Sequence, residues 1–316
     1  MVRLELLLEL SYEITGSEGA DFVFNIHAAH TPHQAVQQES LSFNQPVVPE
    51  IATDPVTATR FMRLHADPGP LRLRYSATLD ITHHRSDPDA LEEVDVRCLP
   101  LDVMPYVYPS RYCESDRLLN MAFREFGAHT RGYRRVLAIQ RWVQEHVRFE
   151  SNTSNGTTSA IDTLIGGAGV CRDFTHLMIA LCRALNIPAR VATGTDYGAD
   201  PGLGPPDLHA YVEVYLGDRW YLFDPSGTGI PMGFMRFGTG RDAADVAFAT
   251  IFGGVQAGPP SITVHAVEGP GLDVPDHCPD ALSTASPSLA TSSGAVAFGQ
   301  DRHDFSGRDR KIQLPN

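Results

Sequence analysis

One amphipathic helix, predicted over residues 171–185, constrains the fold of this chain more than any other feature. Its apolar side chains recur at i, i+3, i+4, i+7, i+8 and i+11, which gathers them along one buried stripe. These side chains are Phe174, Leu177, Met178, Leu181, Cys182 and Leu185. Asn186 suits the left-handed position after a helix and Pro188 blocks continuation, so together they predict its end. A helix buried in this way requires a core built around it.

Strands are predicted on the C-terminal side of this helix. The β-rich runs lie at about residues 189–194, 210–216 and 220–224, with weaker candidates at 246–252 and 261–267 that would close the same domain. Two further helices are expected before the buried one, at about 116–126, with Ser115 as N-cap, and at 131–147. A helix followed by hairpin-forming strands predicts an α+β core over residues 101–268.

The remaining regions differ in pattern from this core. Residues 1–100 alternate apolar and polar side chains and carry Pro- and Gly-bearing breaks, which predicts a small β-sandwich domain. Its clearest alternating runs lie at residues 4–14, 22–27 and 71–81. From 269 to 316 the periodicity is lost, and residues 281–299 are rich in Ser, Ala, Thr and Gly. We therefore expect a flexible or disordered tail over 269–316.

Composition narrows the classes of partner. The 316 residues carry a formal net charge of −13, which argues against nucleic acid and anionic membrane surfaces as partners. Glu5 and Glu9 interrupt the apolar N-terminal run, so no signal peptide is predicted and a cytoplasmic location is expected. Five scattered cysteines are too few for a disulfide scaffold. The sequence predicts no cofactor, and it leaves the oligomeric state open.

Cys171 stands at the first position of the buried helix. A helix N-terminus carries partial positive charge and free N–H groups, which make a thiol there a better nucleophile and can stabilise an oxyanion. Its place on the apolar stripe predicts that the thiol faces the sheet. The alternative is an inert core cysteine. Cys182, about 16 Å further along the same stripe, is assigned to packing.

A two-residue turn, Gly217-Asp218, predicts the register of the second and third strands. Residue 216 then faces 219, and Tyr211 faces Asp224. His209 projects on the same side as Asp224 and becomes its diagonal neighbour, roughly 7–8 Å away at the backbone. A three-residue turn would place the two side chains on opposite faces.

Cys171, His209 and Asp224 can therefore form a set of nucleophile, base and orienting carboxylate. Each has an ordinary alternative when taken singly, His209 as a surface residue and Asp224 as a turn former. Taken together the three positions favour catalysis. His176 is the rival base, but it lies about 140° around the helix from the thiol and is interpreted as structural.

Other features leave alternatives open. His27, His30, His33 and the adjacent pair His83-His84 could ligate a metal, although loop histidines explain them as well, and no metal site is predicted. The Gly-, Pro- and Asp-rich segment 195–207 precedes His209 and is either a mobile lid or a connecting loop. No Gly-rich phosphate or dinucleotide fingerprint is present.

Four blocks carry a resemblance to a known family. They are Gly169-Val-Cys-Arg-Asp-Phe-Thr-His-Leu177, Asn186-Ile-Pro-Ala-Arg190, His209-Ala-Tyr-Val-Glu-Val214 and Trp220-Tyr-Leu-Phe-Asp-Pro225. In this order they resemble the bacterial transglutaminase-like superfamily over roughly residues 130–226. The N-terminal region also looks like the β domain that often precedes this core in bacterial members.

The resemblance implies a papain-like fold, with a Cys-bearing helix packed on an antiparallel sheet, and it matches Cys171, His209 and Asp224 to the family triad. Arg172 stands where Gln is common and Tyr211 where Trp is common, so substrate preference is not carried over. Thr175 and Asn186 also depart from the usual Ala and Gly.

Two functional hypotheses follow. The first is thiol-dependent acyl transfer or hydrolysis at an amide bond, as in a cysteine peptidase or amidase or a protein-glutamine acyltransferase. The partner is then a peptide or amide-bearing substrate, with an amine as a second acceptor in the transfer reaction. The second hypothesis is a non-catalytic binding module that keeps the fold. The family resemblance favours a protease or amidase.

Overall fold

A computed structural model of the protein describes residues 1–198 and 207–287. The fold is α+β, as predicted: a β-sandwich precedes a core in which a Cys-bearing helix packs on an antiparallel sheet. Within the described residues, no helix is long and apolar enough to cross a membrane.

Two antiparallel sheets enclose the core of the sandwich. Its N-terminal strands are β1 (Val2–Ile14), β2 (Ala20–Phe24), β3 (Gln34–Phe43), β4 (Glu50–Thr53), β5 (Arg60–Ala66) and β6 (Gly69–Ile81). The inward side chains of β1 alternate strictly with outward ones, as the sequence pattern predicts. Phe22, Phe24 and Tyr75 fill the space between the sheets with less than 1% of their surface exposed.

The sandwich is completed by strands from the far end of the chain. These are β14 (Ala249–Phe252), β15 (Val255–Ala257) and β16 (Ser261–Ala266). β14 pairs with β2, while β15 and β16 pair with β1. The two weak strands predicted to close the catalytic core therefore exist, but they extend the other domain. The domain boundary predicted at residue 268 is wrong in this respect, because strand pairing across more than 200 residues leaves no local sequence signal.

The core begins with helices that surround the buried one. They are α1 (Ser115–Phe126), α2 (Tyr133–His146), α3 (Ala160–Gly166) and α4 (Cys171–Ala184), with a short α5 (Ala243–Val246) later in the chain. α1 and α2 match the prediction, although the N-cap of α1 is Glu114 rather than Ser115. α3 was not predicted. It has a capping box, in which Ser159 and Asp162 bond each other's backbone N–H groups.

α4 is buried more completely than one stripe would require. All of its residues from Asp173 to Ala184 are buried, because α1, α2 and α3 cover the side away from the sheet. The polar residue Arg183 is accommodated by hydrogen bonds to the carbonyls of Ala189 and Tyr108. Asn186 takes φ +61° after the helix, as predicted.

The sheet beneath α4 has the order β12-β11-β10-β13 and is antiparallel throughout. Its strands are β10 (Ala189–Asp196), β11 (His209–Leu216), β12 (Arg219–Phe223) and the unpredicted β13 (Phe234–Gly240). Two minor pairs accompany it, the parallel pair β8 (Arg148–Phe149) with β9 (Ala168–Gly169) and the antiparallel pair β7 (His84–Ser86) with β17 (Ala281–Ser283).

The prediction of a flexible tail from residue 269 is wrong for its first part. β17 lies inside that segment, and Ala281 and Ser283 have no exposed surface. Three residues are too short a strand to show periodicity in sequence. The rest of that predicted tail, 288–316, and most of the lid or loop segment, 199–206, lie outside the described residues.

Candidate active site

The start of α4 is fixed by a carboxylate cap. Asp173, with 0% of its surface exposed, accepts the backbone N–H of Val170 at 2.9 Å. Val170 is extended, so the helix begins at Cys171. A Cβ at Gly169 would lie 2.7 Å from the Asp173 side chain, which explains the glycine. The Cys171 thiol is half-buried and lies 3.8 Å from the carbonyl oxygen of Leu208.

The hairpin register is the predicted one. Leu216 faces Arg219 across the Gly217-Asp218 turn, and the pairing continues to Val212 and Phe223. Asp224 follows directly after β12. Nε2 of His209 lies 3.4 Å from Oδ1 of Asp224, at the long end of hydrogen-bond distance.

The thiol meets the imidazole at the end of the sheet rather than across its face. Ala210, Val212 and Val214 pack against α4, so the alternate residues His209 and Tyr211 belong to the opposite face. His209 is the first residue of β11, next to Leu208, whose carbonyl oxygen lies 3.8 Å from the Cys171 thiol. The structure thus brings the three predicted residues to one end of the sheet, but the helix packs on the face opposite to the one that the sequence predicted.

The Asp224 carboxylate accepts three hydrogen bonds from the segment that follows it in the chain. Its Oδ1 accepts the backbone N–H of Ser226 at 3.0 Å and the Ser226 hydroxyl at 2.6 Å, and its Oδ2 accepts the N–H of Gly229 at 2.8 Å. Burial alone would raise the pKa of Asp224, but the charge of His209 and these hydrogen bonds lower it below its usual value. The carboxylate is therefore ionised at neutral pH.

His209 is polarised by its two neighbours. Burial favours the neutral ring, but the charge of Asp224, with hydrogen bonds to Asp224 and Cys171, outweighs it and raises the pKa of His209 well above 6.5. Because Nε2 faces the carboxylate, Nδ1 is the ring nitrogen left for the thiol. This arrangement can accept the thiol proton and hold it beside a thiolate.

A second buried carboxylate lies beside this set, and sequence reasoning missed it. Asp196 ends β10 with 4% of its surface exposed, and it accepts the hydroxyl of Tyr211 at 2.8 Å. The Tyr211 ring packs edge-on against the His209 ring at 4.7 Å. Burial raises the pKa of Asp196 to about 6. The long β10–β11 connection hides the strand pairing that would have revealed this neighbour.

Gly229 permits these two groups to approach each other. A Cβ at this position would lie 2.1 Å from Oδ2 of Asp196 and 2.4 Å from the Tyr211 hydroxyl. The N–H of the same residue binds Asp224. One backbone segment therefore contacts both carboxylates.

The remaining candidates are structural. His176 stacks on the Tyr112 ring at 5.0 Å and its Nε2 accepts the N–H of Ala243, while burial lowers its pKa. Cys182 is fully buried, as expected. Arg172, which departs from the family pattern, is held by a protein contact: its guanidinium donates to the carbonyl of Asn155 at 2.7 Å. In the described segments, no group of three or more His, Cys, Asp or Glu residues is arranged to bind a metal ion.

Two protein-family models and a solved structure match this chain. The transglutaminase-like superfamily core model matches residues 121–225, and the model of the bacterial transglutaminase N-terminal domain matches residues 3–102. A protein of Cytophaga hutchinsonii, named as a putative cysteine protease, has a solved structure that is 37% identical, with a TM-score of 0.82. That match covers 89% of this chain and 97% of the other.

Two curated relatives are more distant. An uncharacterized protein of Mycobacterium leprae is 29% identical over 117 residues, which is 35% of this chain and 42% of its own length. One of Mycobacterium bovis is 29% identical over 109 residues, which is 31% of this chain and 35% of its own length. The match thus spans about two fifths or less of these relatives. On the family models and the near-complete match to the Cytophaga protein, this chain belongs to the transglutaminase-like superfamily and carries its bacterial N-terminal domain.

Proposed function

We propose that this protein is an enzyme that performs thiol-dependent hydrolysis or acyl transfer at an amide bond. One observation carries the proposal: Nε2 of His209 lies 3.4 Å from the Asp224 carboxylate, and, against the effect of burial, both Asp224 and Cys171 raise the pKa of the imidazole. A nucleophile, a base and a group that orients the base are the minimum set for this chemistry.

The reaction proceeds in two halves. Cys171 Sγ attacks the substrate carbonyl carbon, and its proton passes to Nδ1 of His209. Backbone N–H groups at the start of α4 favour the negative charge that develops on the carbonyl oxygen. The tetrahedral intermediate collapses to a thioester when His209 returns the proton to the departing amine nitrogen.

The thioester is resolved by a second nucleophile. His209 removes a proton from water or from a primary amine, the new bond forms at the carbonyl carbon, and the C–S bond breaks. Water yields a carboxylic acid, and an amine yields a new amide. The name of the Cytophaga relative supports hydrolysis, so a peptide or other amide-bearing molecule is the proposed substrate.

A library of peptides and γ-glutamyl amides, incubated with and without an added primary amine, tests the proposal. We expect product from wild-type protein, no product from Cys171→Ala, and unchanged product from Cys98→Ala, which removes an exposed thiol. The product with amine present identifies the acceptor. Product from Cys171→Ala equal to that of wild type would remove Cys171 from the reaction, and a wild-type protein that forms no product would favour a non-catalytic binding module on the same fold.

A further inference from the structure

A cavity outside the triad lies at the other end of the same sheet face. Its volume is about 720 Å³, within the roughly 300–1,000 Å³ range of small-molecule sites. Arg190 of β10 and Arg236 of β13 line it, together with the aromatic rings of Trp220 and Tyr106. The exposed side chains of Val56 and Leu101 also line it, so apolar groups surround a cationic floor.

The floor carries more positive than negative charge. Glu213, with 0% of its surface exposed, accepts Nε of Arg190 at 2.7 Å and Nη1 of Arg236 at 3.0 Å. The side chains of Arg190 and Arg236 are 13% and 4% exposed. Two guanidinium groups, which do not deprotonate in proteins, thus share one carboxylate. Asp102, the acidic residue among those lining the cavity, lies in an exposed loop.

Contacts around the cavity hold the two arginines in place. Nη2 of Arg236 donates to the hydroxyl of Thr284 at 2.8 Å, and Thr284 also lines the cavity. The Arg190 guanidinium lies over the Trp220 ring at 4.2 Å and the Tyr106 ring at 5.6 Å from the ring centroids. An uncompensated buried cation is costly, and an anion in the cavity would relieve that cost.

We propose that this cavity binds a small organic carboxylate. Its anionic group lies against Arg190 and Arg236, and its apolar body packs against Trp220, Tyr106 and the apolar rim. The site is distinct from the triad: Tyr211 lies between His209 and Glu213 on β11, inside an apolar cluster with Ala192, Leu222 and Phe234. The proposal is therefore independent of the proposed amide chemistry.

The chain contains its own reporter for this site. It has two tryptophans, Trp142 on α2 and Trp220 in the cavity. In a Trp142→Phe background, all tryptophan fluorescence comes from Trp220. We expect benzoate to change this fluorescence saturably, and benzamide, which has nearly the same shape without charge, to bind at least about tenfold more weakly. Inorganic phosphate, which lacks an apolar body, should also bind at least about tenfold more weakly than benzoate.

A pair of charge-matched variants completes the test. Arg190→Gln leaves one guanidinium on one carboxylate, so we expect benzoate affinity to fall at least about tenfold. Arg74→Gln removes the same charge from an exposed position on the sandwich and should change affinity less than about twofold. Equal binding of benzoate and benzamide to the protein with Arg190 and Arg236 intact would overturn the proposal. Unchanged benzoate affinity in folded Arg190→Gln would also overturn it. Phosphate binding as tight as benzoate would overturn the role of the apolar walls.

Discussion

At each end of one sheet face, two charged side chains flank a third residue; the flanking groups are carboxylates at one end and guanidinium groups at the other. Where β11 begins and β12 ends, the carboxylates of Asp224 and Asp196 flank the imidazole of His209. About 13 Å further along β11, the guanidinium groups of Arg190 and Arg236 flank the carboxylate of Glu213. The same backbone pairing supports both arrangements. The central group differs: the imidazole can give up and take back a proton, whereas the arginine–glutamate group keeps fixed charges.

The largest effect on turnover is expected when the carboxylate that orients His209 loses its charge. Asp224→Asn removes the charge that orients and stabilises protonated His209, so turnover of the amide substrate should fall about 10³- to 10⁴-fold while the fold is kept. Steady-state kinetics and circular dichroism measure the two quantities. Asp218→Asn, in the exposed hairpin turn, is the matched control and should behave as wild type. A loss of less than about tenfold in Asp224→Asn would remove Asp224 from the proposed triad.

Removal of the negative charge between the two guanidinium groups should reduce the stability of the protein and not only its turnover. Glu213→Gln leaves two buried cations without a counter-charge, and we expect the free energy of unfolding to fall by about 3–5 kcal/mol. Urea unfolding measures this loss. Arg190→Gln, which retains the Glu213–Arg236 pair, should cost less. A loss of under about 1 kcal/mol in Glu213→Gln would show that the two guanidinium groups do not need this counter-charge.

The buried Asp196 carboxyl should give the protein a distinct pH dependence. Its pKa is raised from 3.8 to about 6, so between these values the folded chain holds a proton that the unfolded chain has lost. The contribution of this group to the free energy of unfolding therefore decreases as pH rises from about 4 to 6, by up to about 3 kcal/mol, and is constant above that range. His27, His83 and His176, whose pKa values burial lowers, contribute in the opposite direction over this range.

Asp196→Asn removes that titration while keeping an acceptor for Tyr211. Urea unfolding at pH 4, 5, 6 and 7 should show that the free energy of unfolding of wild type falls relative to that of this variant as pH rises. Asp218→Asn again serves as control. Identical pH profiles of wild type and Asp196→Asn would show that Asp196 ionises in the folded protein as readily as in the unfolded chain.

The smallest effect is expected from Tyr211→Phe. The ring contact with His209 is retained and only the hydroxyl bond to Asp196 is lost, so stability should fall by about 1 kcal/mol and turnover by less than about tenfold. Because that bond favours the ionised carboxylate, its loss should raise the pKa of Asp196 above 6. The pH range over which ionisation of Asp196 reduces the stability should therefore extend to higher pH. A loss of turnover as large as that of Asp224→Asn would give the tyrosine hydroxyl a role in the reaction itself.

Local patterns predicted the parts of the site that local geometry controls. The apolar spacing of α4 and the two-residue turn at 217–218 are short-range features, and they correctly placed Cys171 at a helix start and His209 beside Asp224. Asp196 could not be predicted in the same way. It reaches His209 through the pairing of β10 with β11, which a long intervening segment leaves undetermined in sequence.

The same distinction explains the errors in the fold. Apolar and polar side chains alternate along β1 and β6, and this local pattern predicts both strands. The assignment of β14, β15 and β16 to the sandwich depends instead on contacts across more than 200 residues. β17 is too short for any periodicity. Arg190 and Arg236 stand 46 residues apart in sequence and meet only because both flank Glu213 in the folded sheet.

The most direct test of the central claim is the rate at which iodoacetamide alkylates Cys171, followed by mass spectrometry at neutral pH. Transfer of the Cys171 proton to His209 should make this sulfur react at least about tenfold faster than that of the exposed Cys98, and His209→Ala should abolish that excess. Cys113 and Cys182 are fully buried and provide internal references for an intact fold. If Cys171 reacts no faster than Cys98 in the folded wild-type protein, the contact between thiol and imidazole does not activate the sulfur, and the account of the site is contradicted.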